Sequence, residues 1–303
     1  MTRQQAILLL LTTPERTAAV GGERLAPALN VLTARDAVRR ALAEDMGTGD
    51  LTTALTVPPD HRARAEMRSK ATGIVAGLGV AELAFRELDP NLIWTPQVAD
   101  GQQVKPGQTI VGLEGLACAI LSAERTALNF LQRMSGTATA THELVTLARG
   151  VTVLDTRKTA PGLRALDKYA VAVGGARNHR FGLFDGVLIK ENHIRAAGGI
   201  AAAVVRCRQG VPLLTQIEVE VTNFDELRQA LEAGADVILL DNMSPAEMGQ
   251  AATIAAGRAK LEASGGITRE NLAEVAASGV DFISSGAITH SVKALDISLL
   301  IEL

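Results

Sequence analysis

The sequence predicts an α/β protein whose second half is an incomplete parallel barrel, and three observations carry that expectation. Short β-type runs recur after residue 150: VTVLD (151–155), DGVLIK (185–190), IEVEV (217–221), DVILLD (236–241), AKLEAS (259–264) and DFISSG (281–286). Helical stretches such as TNFDELRQALEAG and TRENLAEVAASG separate them, and the last four runs start roughly twenty residues apart, as repeated βα units around a parallel sheet do. Polar residues gather at the carboxyl end of each run: Asp155 with Arg157 and Lys158, Lys190 with Glu191 and Asn192, Glu218 and Glu220, Asp241 and Asn242, Glu262 and Ser264, Ser284 and Ser285. In a barrel those ends converge on one mouth, the usual active-site face. Six runs are legible rather than the eight of a full barrel, which favours an incomplete or irregular barrel over a doubly wound sheet.

The elements before residue 150 differ in character. Residues 1–28 read as an N-terminal extension, either a loosely attached lead or sequence upstream of a later start. Their apolar stretch AILLLL is too short to span a membrane and lacks a basic cluster or cleavage pattern, so no export signal is expected. TARDAVRRALAED, from about residue 32, has apolar positions at helical spacing and closes at the MGTGD turn. RARAEMRSKATGIVAGLG (62–79) alternates like a strand pair, and AELAFRELD follows as a helix. IWTPQVADGQQVKPGQTIVGLEG reads as short strands between the turns ADG and KPG. Biotinyl and lipoyl carriers share that hairpin pattern but present a Lys at a hairpin tip. Lys105 instead precedes Pro106 in a second turn, so a small structural sheet is expected. ILSAERTALNFLQRMSGTATATHELVTLA, from about residue 120, is long, Ala- and Leu-rich and amphipathic, a helix or helix pair between domains.

Composition narrows the function. The chain has 303 residues, 47% hydrophobic and 21% charged, with a formal net charge of −3, which excludes a disordered or collagen-like protein and allows one large or two moderate domains. Rings are scarce, with one Trp, one Tyr and six Phe, and 30 cations nearly balance 33 acids. Nucleic-acid binding by base stacking or through a uniformly basic surface is therefore not expected. Cys118 and Cys207 have no CxxC partner and read as buried or helix-face thiols, which fits a reducing, cytoplasmic compartment. The five histidines show no metal-ligand spacing.

Charge is unevenly placed. Residues 125–190 hold ten cations against four acids, a local balance of +6 that leaves −9 for the remainder. A cleft of one sign focuses potential, so such an island points to an anionic ligand. Arg157 and Lys158 lie just past a strand end in TRKTAPGLR, and His179 and Arg180 lie in the Gly-flanked GGARNHRFG. An Arg fork pairs bidentately with a carboxylate or phosphate, and Lys adds a mobile point charge. Two glycine-bearing loops follow late strands, EASGGIT (262–268) and SSGAITHS (284–291). A Ser-Gly-Gly turn entering a helix presents N–H groups at a positive dipole end, and the last strands of a barrel are a recurrent phosphate position. Alternation in IEVEV puts Glu218 and Glu220 on one strand face, and Asp241 ends VILLD. Carboxylates beside phosphates hold Mg2+ or ribose hydroxyls; the plainer reading of Glu220 and Asp241 is a salt bridge to Lys158 or Lys190.

ERTALNFLQRMSG, DTRKTAPGLRALDKYAVAVGGARNHRFGLFDGVLIKENHI, IEVEV, LLDN, EASGGI and THSVKALDISL together resemble the decarboxylating quinolinate phosphoribosyltransferase (nicotinate-nucleotide pyrophosphorylase) family, from about residue 32 to the C-terminus. Ala160, where such sequences often have Leu, and Met243 after LLDN are apolar variations. The resemblance implies an N-terminal α/β sandwich domain (29–130 and 294–303) and an incomplete α/β barrel catalytic domain (131–293). It implies Mg2+-dependent phosphoribosyl transfer from phosphoribosyl pyrophosphate to quinolinate with decarboxylation, a step of NAD biosynthesis. It also implies a homodimer or assembly of dimers with shared active sites, and neither nucleic acid nor membrane as partner. Carried over residue by residue, Arg157, His179, Arg180 and Lys190 grip the quinolinate carboxylates, with Arg125 arriving from the neighbouring subunit. Lys158 faces the phosphoribosyl pyrophosphate with Lys190 nearby, and Glu220 and Asp241 engage ribose hydroxyls or the metal, directly or through water. Ser264, Gly265, Gly266, Ser285, Gly286 and Ala287 hold the 5-phosphate through main-chain donors, and His290 lies near it. Lys158, Lys190, Glu220 and Asp241 are the expected catalytic groups.

Three competing readings remain at this level. They are a Schiff-base barrel lyase using Lys190, a paralogous type II phosphoribosyltransferase acting on another aromatic acid or in molybdenum-related metabolism, and a noncatalytic module built on the carrier-like hairpin. The last leaves the basic island and the phosphate loops unexplained.

Overall fold

A computed structural model describes residues 28–302. The expectations made for residues 1–27 lie outside that range. In chain order the elements are α1 (Val31–Met46), α2 (Leu51–Thr56), β1 (Arg62–Ser69), β2 (Gly73–Ile74), α3 (Leu78–Leu88), β3 (Ile93–Pro96), β4 (Gln103–Val104), β5 (Thr109–Leu116) and α4 (Ala117–Leu147). They continue with β6 (Thr152–Leu154), α5 (Arg164–Val173), β7 (Val187–Ile189), α6 (Glu191–Ala197), α7 (Ile200–Gly210), β8 (Ile217–Val221), α8 (Phe224–Glu232) and β9 (Val237–Asp241). The last are α9 (Pro245–Ala255), β10 (Lys260–Ser264), α10 (Leu272–Ala277), β11 (Phe282–Ser284), α11 (Ala287–His290) and β12 (Ile297–Glu302). All six β-type runs read after residue 150 are strands, and the stretch from residue 120 is one helix of 31 residues rather than a pair.

The chain divides into two compact units. The first runs to Thr139, takes in Ala165–Gly175 and resumes at Lys293; the second is Ala140–Arg164 with Ala176–Val292. In the first, strands in the order β12-β1-β5-β3 form an antiparallel sheet. Its β1 alternates as the sequence does: Ala63, Ala65 and Met67 are buried while Arg62, Arg64 and Arg68 face solvent. Helix α1 starts where the Asn30 side chain accepts from the Thr33 N–H, and its Arg35 and Arg39 both reach Glu87 of α3, at 3.1 and 2.7 Å. Helix α5 belongs to this unit for a reason the sequence conceals: its buried Asp167 takes Arg133 at 3.1 Å, and its Tyr169 hydroxyl donates to Asp100 at 2.7 Å.

Six strands of the second unit pair in parallel in the order β6-β11-β10-β9-β8-β7. The first strand of the set lies beside the last, and the others follow sequentially. That is the cyclic order of a barrel with one pairing missing, between β6 and β7, and not the order of a doubly wound sheet. A single bridge from Leu154 to Arg177 extends the β6 edge. Along β8, Ile217, Val219 and Val221 are fully buried on one face, and Glu218 and Glu220 take the other. Helix α8 is capped by Asn223, which accepts from the Asp225 and Glu226 N–H groups. Helix α9 opens with Ser244 and Glu247 as a reciprocal capping box. Cys118 and Cys207 are unpaired helix residues of intermediate exposure, and among the described residues no helix is long and apolar enough to cross a membrane.

The C-terminal strand reaches its place beside β1 because α4 carries a glycine where the chain returns. A Cβ on Gly136 would lie 2.3 Å from the Lys293 carbonyl oxygen and 3.0 Å from the Ala294 Cα, both backbone atoms. Gly136→Ala should therefore destabilise the protein by about 1–3 kcal/mol, the ordinary cost of overpacking. Gly79→Ala, in α3 with nothing within 4 Å, should be neutral or stabilising by up to about 1 kcal/mol. Urea unfolding of both variants checks this, and equal midpoints would refute the contact.

Candidate active site

Register brings the polar ends of the second unit's strands together. Asp241 pairs with Ser264, and Leu239 is the common partner of Glu220 and Glu262. These residues share one strand face by alternation, at the carboxyl edge of the sheet.

Past β6, Asp155 is fully buried and organises the loop that carries the basic residues. Its carboxylate accepts the His179 backbone N–H and the Asn178 amide, each at 2.8 Å. Asp185 fixes the far side by accepting the Phe181 and Gly182 N–H groups at 2.6 and 2.7 Å, and an Arg180 guanidinium N–H donates to the Gly186 carbonyl at 3.0 Å. Burial and the positive charge of Arg157 lower the Arg180 pKa from its ordinary value, while Glu218 and Asp185 act the other way. Positive charge from Arg157 and Arg180 thus acts on one partly buried spot, which suits a ligand with negative charge to share.

Lys158 and His290 meet at Gly286. A Cβ there would lie 2.8 Å from the Lys158 Cδ and 3.0 Å from the His290 Cδ2, so glycine is required for the approach. The Thr289 hydroxyl donates to the Lys158 carbonyl at 2.8 Å, tying α11 to the loop after β6. Gly265 and Gly266 follow β10 with φ of 81° and 61°, and a Cβ on Gly265 would fall 2.3 Å from the Asn242 side-chain oxygen. One part of the sequence expectation is corrected here. The Ser-Gly-Gly turn does not open a helix: α10 begins only at Leu272, because the Asn271 side chain closes the intervening turn, donating to the Gly266 carbonyl at 2.9 Å and accepting the Thr268 N–H at 2.8 Å. Any phosphate held there meets turn amides rather than a helix end.

Lys190 follows β7 and its ammonium is hydrogen-bonded to Glu220, the salt bridge that is the plainer reading of that carboxylate. Asp241 accepts from the Asn242 amide at 3.0 Å. Arg125 lies exposed on the part of α4 that belongs to the first unit, and it is not among the residues that the second unit brings together.

One constellation escaped the sequence reading. His179, Glu218 and Glu262 place ligand-type atoms within 4.8 Å of one another, the two carboxyls 5% and 2% exposed. His179 Nε2 lies 2.8 Å from Glu218 Oε2 and 3.7 Å from Glu262 Oε2. Histidine spacing along the chain conceals this, although the alternation of KLEAS, which puts Glu262 on the face of Ser264, was a usable signal. Burial and the Glu218 charge push the Glu262 carboxyl up to about 8, against the opposing effects of His179 and a Ser284 hydrogen bond.

That shift has a sign. An unfolded Glu262 titrates near 4.5, so between about pH 4.5 and 8 the folded protein binds the extra proton. Its contribution to stability is full below about 4.5, is lost as pH rises to about 8, and is flat above. Glu262→Gln should flatten that fall, by an amount on the order of a few kcal/mol across the window. Urea unfolding over this pH range would show parallel curves for variant and wild type if the carboxyl titrates normally.

Residues 50–135 match the family profile of the quinolinate phosphoribosyl transferase N-terminal domain, and residues 137–300 that of its C-terminal domain. The chain is 44% identical over 273 residues to a probable nicotinate-nucleotide pyrophosphorylase (carboxylating) of Bacillus subtilis, covering 89% of this chain and 94% of that one. It is 46% identical over 284 residues to the chloroplastic nicotinate-nucleotide pyrophosphorylase (carboxylating) of Arabidopsis thaliana, covering 88% and 82%. The solved structure of the nicotinate-nucleotide pyrophosphorylase from Francisella tularensis is similar with a TM-score of 0.87 at 45% identity, over 93% of this chain and 100% of that one. With both domain profiles matched in order and relatives this similar over nearly their whole length, the chain belongs to the quinolinate phosphoribosyltransferase family.

Proposed function

We propose that the protein joins quinolinate to phosphoribosyl pyrophosphate with loss of carbon dioxide, giving nicotinate mononucleotide and pyrophosphate. The observation that carries this beyond family membership is that Arg180 lies on a loop held by Asp155 and Asp185 and feels the positive charge of Arg157, which follows β6. Quinolinate is a dianion and its co-substrate is more negative still, so their encounter needs concentrated positive charge. Arg157 and Arg180 take the carboxylates in this reading, with Lys190 nearby. Lys158 and His290, meeting at Gly286, face the phosphoribosyl pyrophosphate together with the main chain of Ser264, Gly265, Gly266, Ser285, Gly286 and Ala287.

Departure of pyrophosphate builds positive character at the ribose, which the carboxylates of Glu220 and Asp241 stabilise. Those carboxylates end neighbouring strands and are hard oxygen donors, the kind Mg2+ takes beside substrate phosphates. Glu220 and Asp241 would hold such an ion, which would supply neutralisation of charge on the leaving group. Decarboxylation needs no enzyme-bound covalent intermediate: the electron pair left on the ring carbon as carbon dioxide departs is stabilised by the adjacent quaternised nitrogen and then takes a proton from solvent. A Schiff-base role for Lys190 is less suited to the site, since its ammonium is engaged by Glu220. The reading includes a cytoplasmic homodimer or assembly of dimers in which Arg125, exposed on α4, completes a neighbouring site.

Carbon dioxide release that depends on phosphoribosyl pyrophosphate, with quinolinate compared against nicotinate, tests the reaction; release with neither acid overturns it. Arg157→Ala or Lys190→Ala should each lose about 1.5–3 kcal/mol in kcat/KM, roughly 10- to 150-fold, and unchanged turnover would refute their placement. Arg125→Ala mixed with Lys190→Ala should regain partial activity through heterodimers. A mixture as inactive as its components counts against shared sites.

A further inference from the structure

We infer that Glu262 is a positioning residue: its buried carboxyl donates to Glu218, which fixes the His179 ring, and the ring in turn fixes the main chain that carries Arg180. This rests on the proposed role of Arg157 and Arg180 in holding the dicarboxylate.

The hydrogen bonds run in one direction only. The Arg180 backbone N–H donates to His179 Nδ1 at 2.7 Å, so that nitrogen is an acceptor and the ring proton sits on Nε2. Nε2–H then donates to Glu218 Oε2 at 2.8 Å. The other oxygen of Glu218, Oε1, is buried and has no partner among the heavy-atom contacts of an ionised pair. A buried carboxylate oxygen left so is costly, and a proton on Glu262, which is 2% exposed and has a carboxylate oxygen within 4.8 Å of one on Glu218, satisfies it. Burial keeps that proton in place through neutral pH, and the Ser284 hydroxyl holds Glu262 from the neighbouring strand. The groups facing the pair are therefore His179, Ser284 and, towards Glu218, the Arg180 guanidinium.

The consequence revises the part expected of His179. Both ring nitrogens already have protein partners, so a ring nitrogen can grip a substrate carboxylate only by giving up one of them. Instead the ring works from beneath, holding the main chain at Arg180, whose guanidinium is held by the Gly186 carbonyl, and the His179 backbone N–H is taken by Asp155 at 2.8 Å. The alternative occupant of three such ligands is a metal ion in place of the shared proton.

Full-length protein carrying 15N-labelled histidine separates these. Without substrates, His179 should show a protonated Nε2 and an unprotonated Nδ1 at neutral pH; the opposite tautomer or an imidazolium overturns the inference. Glu262→Gln still donates to Glu218 and should keep that tautomer, with the quinolinate KM within roughly threefold of wild type. Glu262→Leu has no donor and should lose the fixed tautomer and raise the quinolinate KM by about tenfold or more, leaving the phosphoribosyl pyrophosphate KM unchanged. Equal rises in both KM values, or none, overturn it. So does uptake of one zinc or manganese ion per chain that Glu262→Gln abolishes. The wild-type tautomer is read without any variant or substrate, so a folding failure of the Leu variant leaves the test intact. Absence of quinolinate turnover in the wild type would instead overturn the proposed function.

Discussion

Six strands that all run the same way deliver their carboxyl ends to one edge, and the neighbouring of β6 with β11 leaves one pairing unmade, between β6 and β7. The connection between those two strands is correspondingly long, and it carries Arg157, Lys158, His179 and Arg180. A closed barrel would have spent the free edge of β6 on hydrogen bonds to β7. Here a single bridge at Arg177 and the carboxylate of Asp155 do that work, and both fix the loop rather than a strand. The basic residues of this connection thus lie at the seam, where backbone groups are left for side chains to satisfy.

Charge in this loop is arranged against itself. Arg157 disfavours the charge on Arg180, and burial adds to the effect. Glu218 and Asp185 offset it, but Asp185 is also engaged by two backbone N–H groups, and Glu218 by His179. In the proposed reaction a ligand with two carboxylates would offset this repulsion, and the relief would contribute to its binding. The same accounting explains why a proton, not a second negative charge, sits on Glu262: two buried carboxylates side by side cannot both ionise cheaply.

Much of this was legible in the residues themselves. Alternation in IEVEV assigned Glu218 and Glu220 to one face, and the six strands and their polar ends follow from runs of apolar residues that stop at a charge. The partnership of Lys190 with Glu220 was one of two readings the sequence allowed. Concealed were relations with no local signature. His179, Glu218 and Glu262 are separated by about forty residues at each step, and only the stacking of alternate strands brings them together. The placement of α5 in the first unit depends on Arg133 and Asp100, whose partners lie tens of residues away. The turn after β10 misled because SGG before a helix-like stretch is compatible with immediate helix entry, whereas Asn271 diverts the backbone first.

Scarcity of rings gives the recognition problem its form. Two of the six Phe residues, Phe181 and Phe184, lie on the loop after Arg180, with centroids 6.3 Å apart, and Phe184 is 82% exposed. They are too exposed to form a cage around a pyridine ring in this state. Discrimination in the proposed reaction must then come from the carboxylates. In that reaction an acid with a single carboxylate would leave the positive charge of Arg157 and Arg180 only partly neutralised, and a site built for polar partners rejects a ligand that lacks one more strongly than an apolar pocket does. The main chain at Arg180 rests on the His179 ring, and that ring on Glu218, so the proposed selectivity would be set one layer below the guanidinium groups themselves.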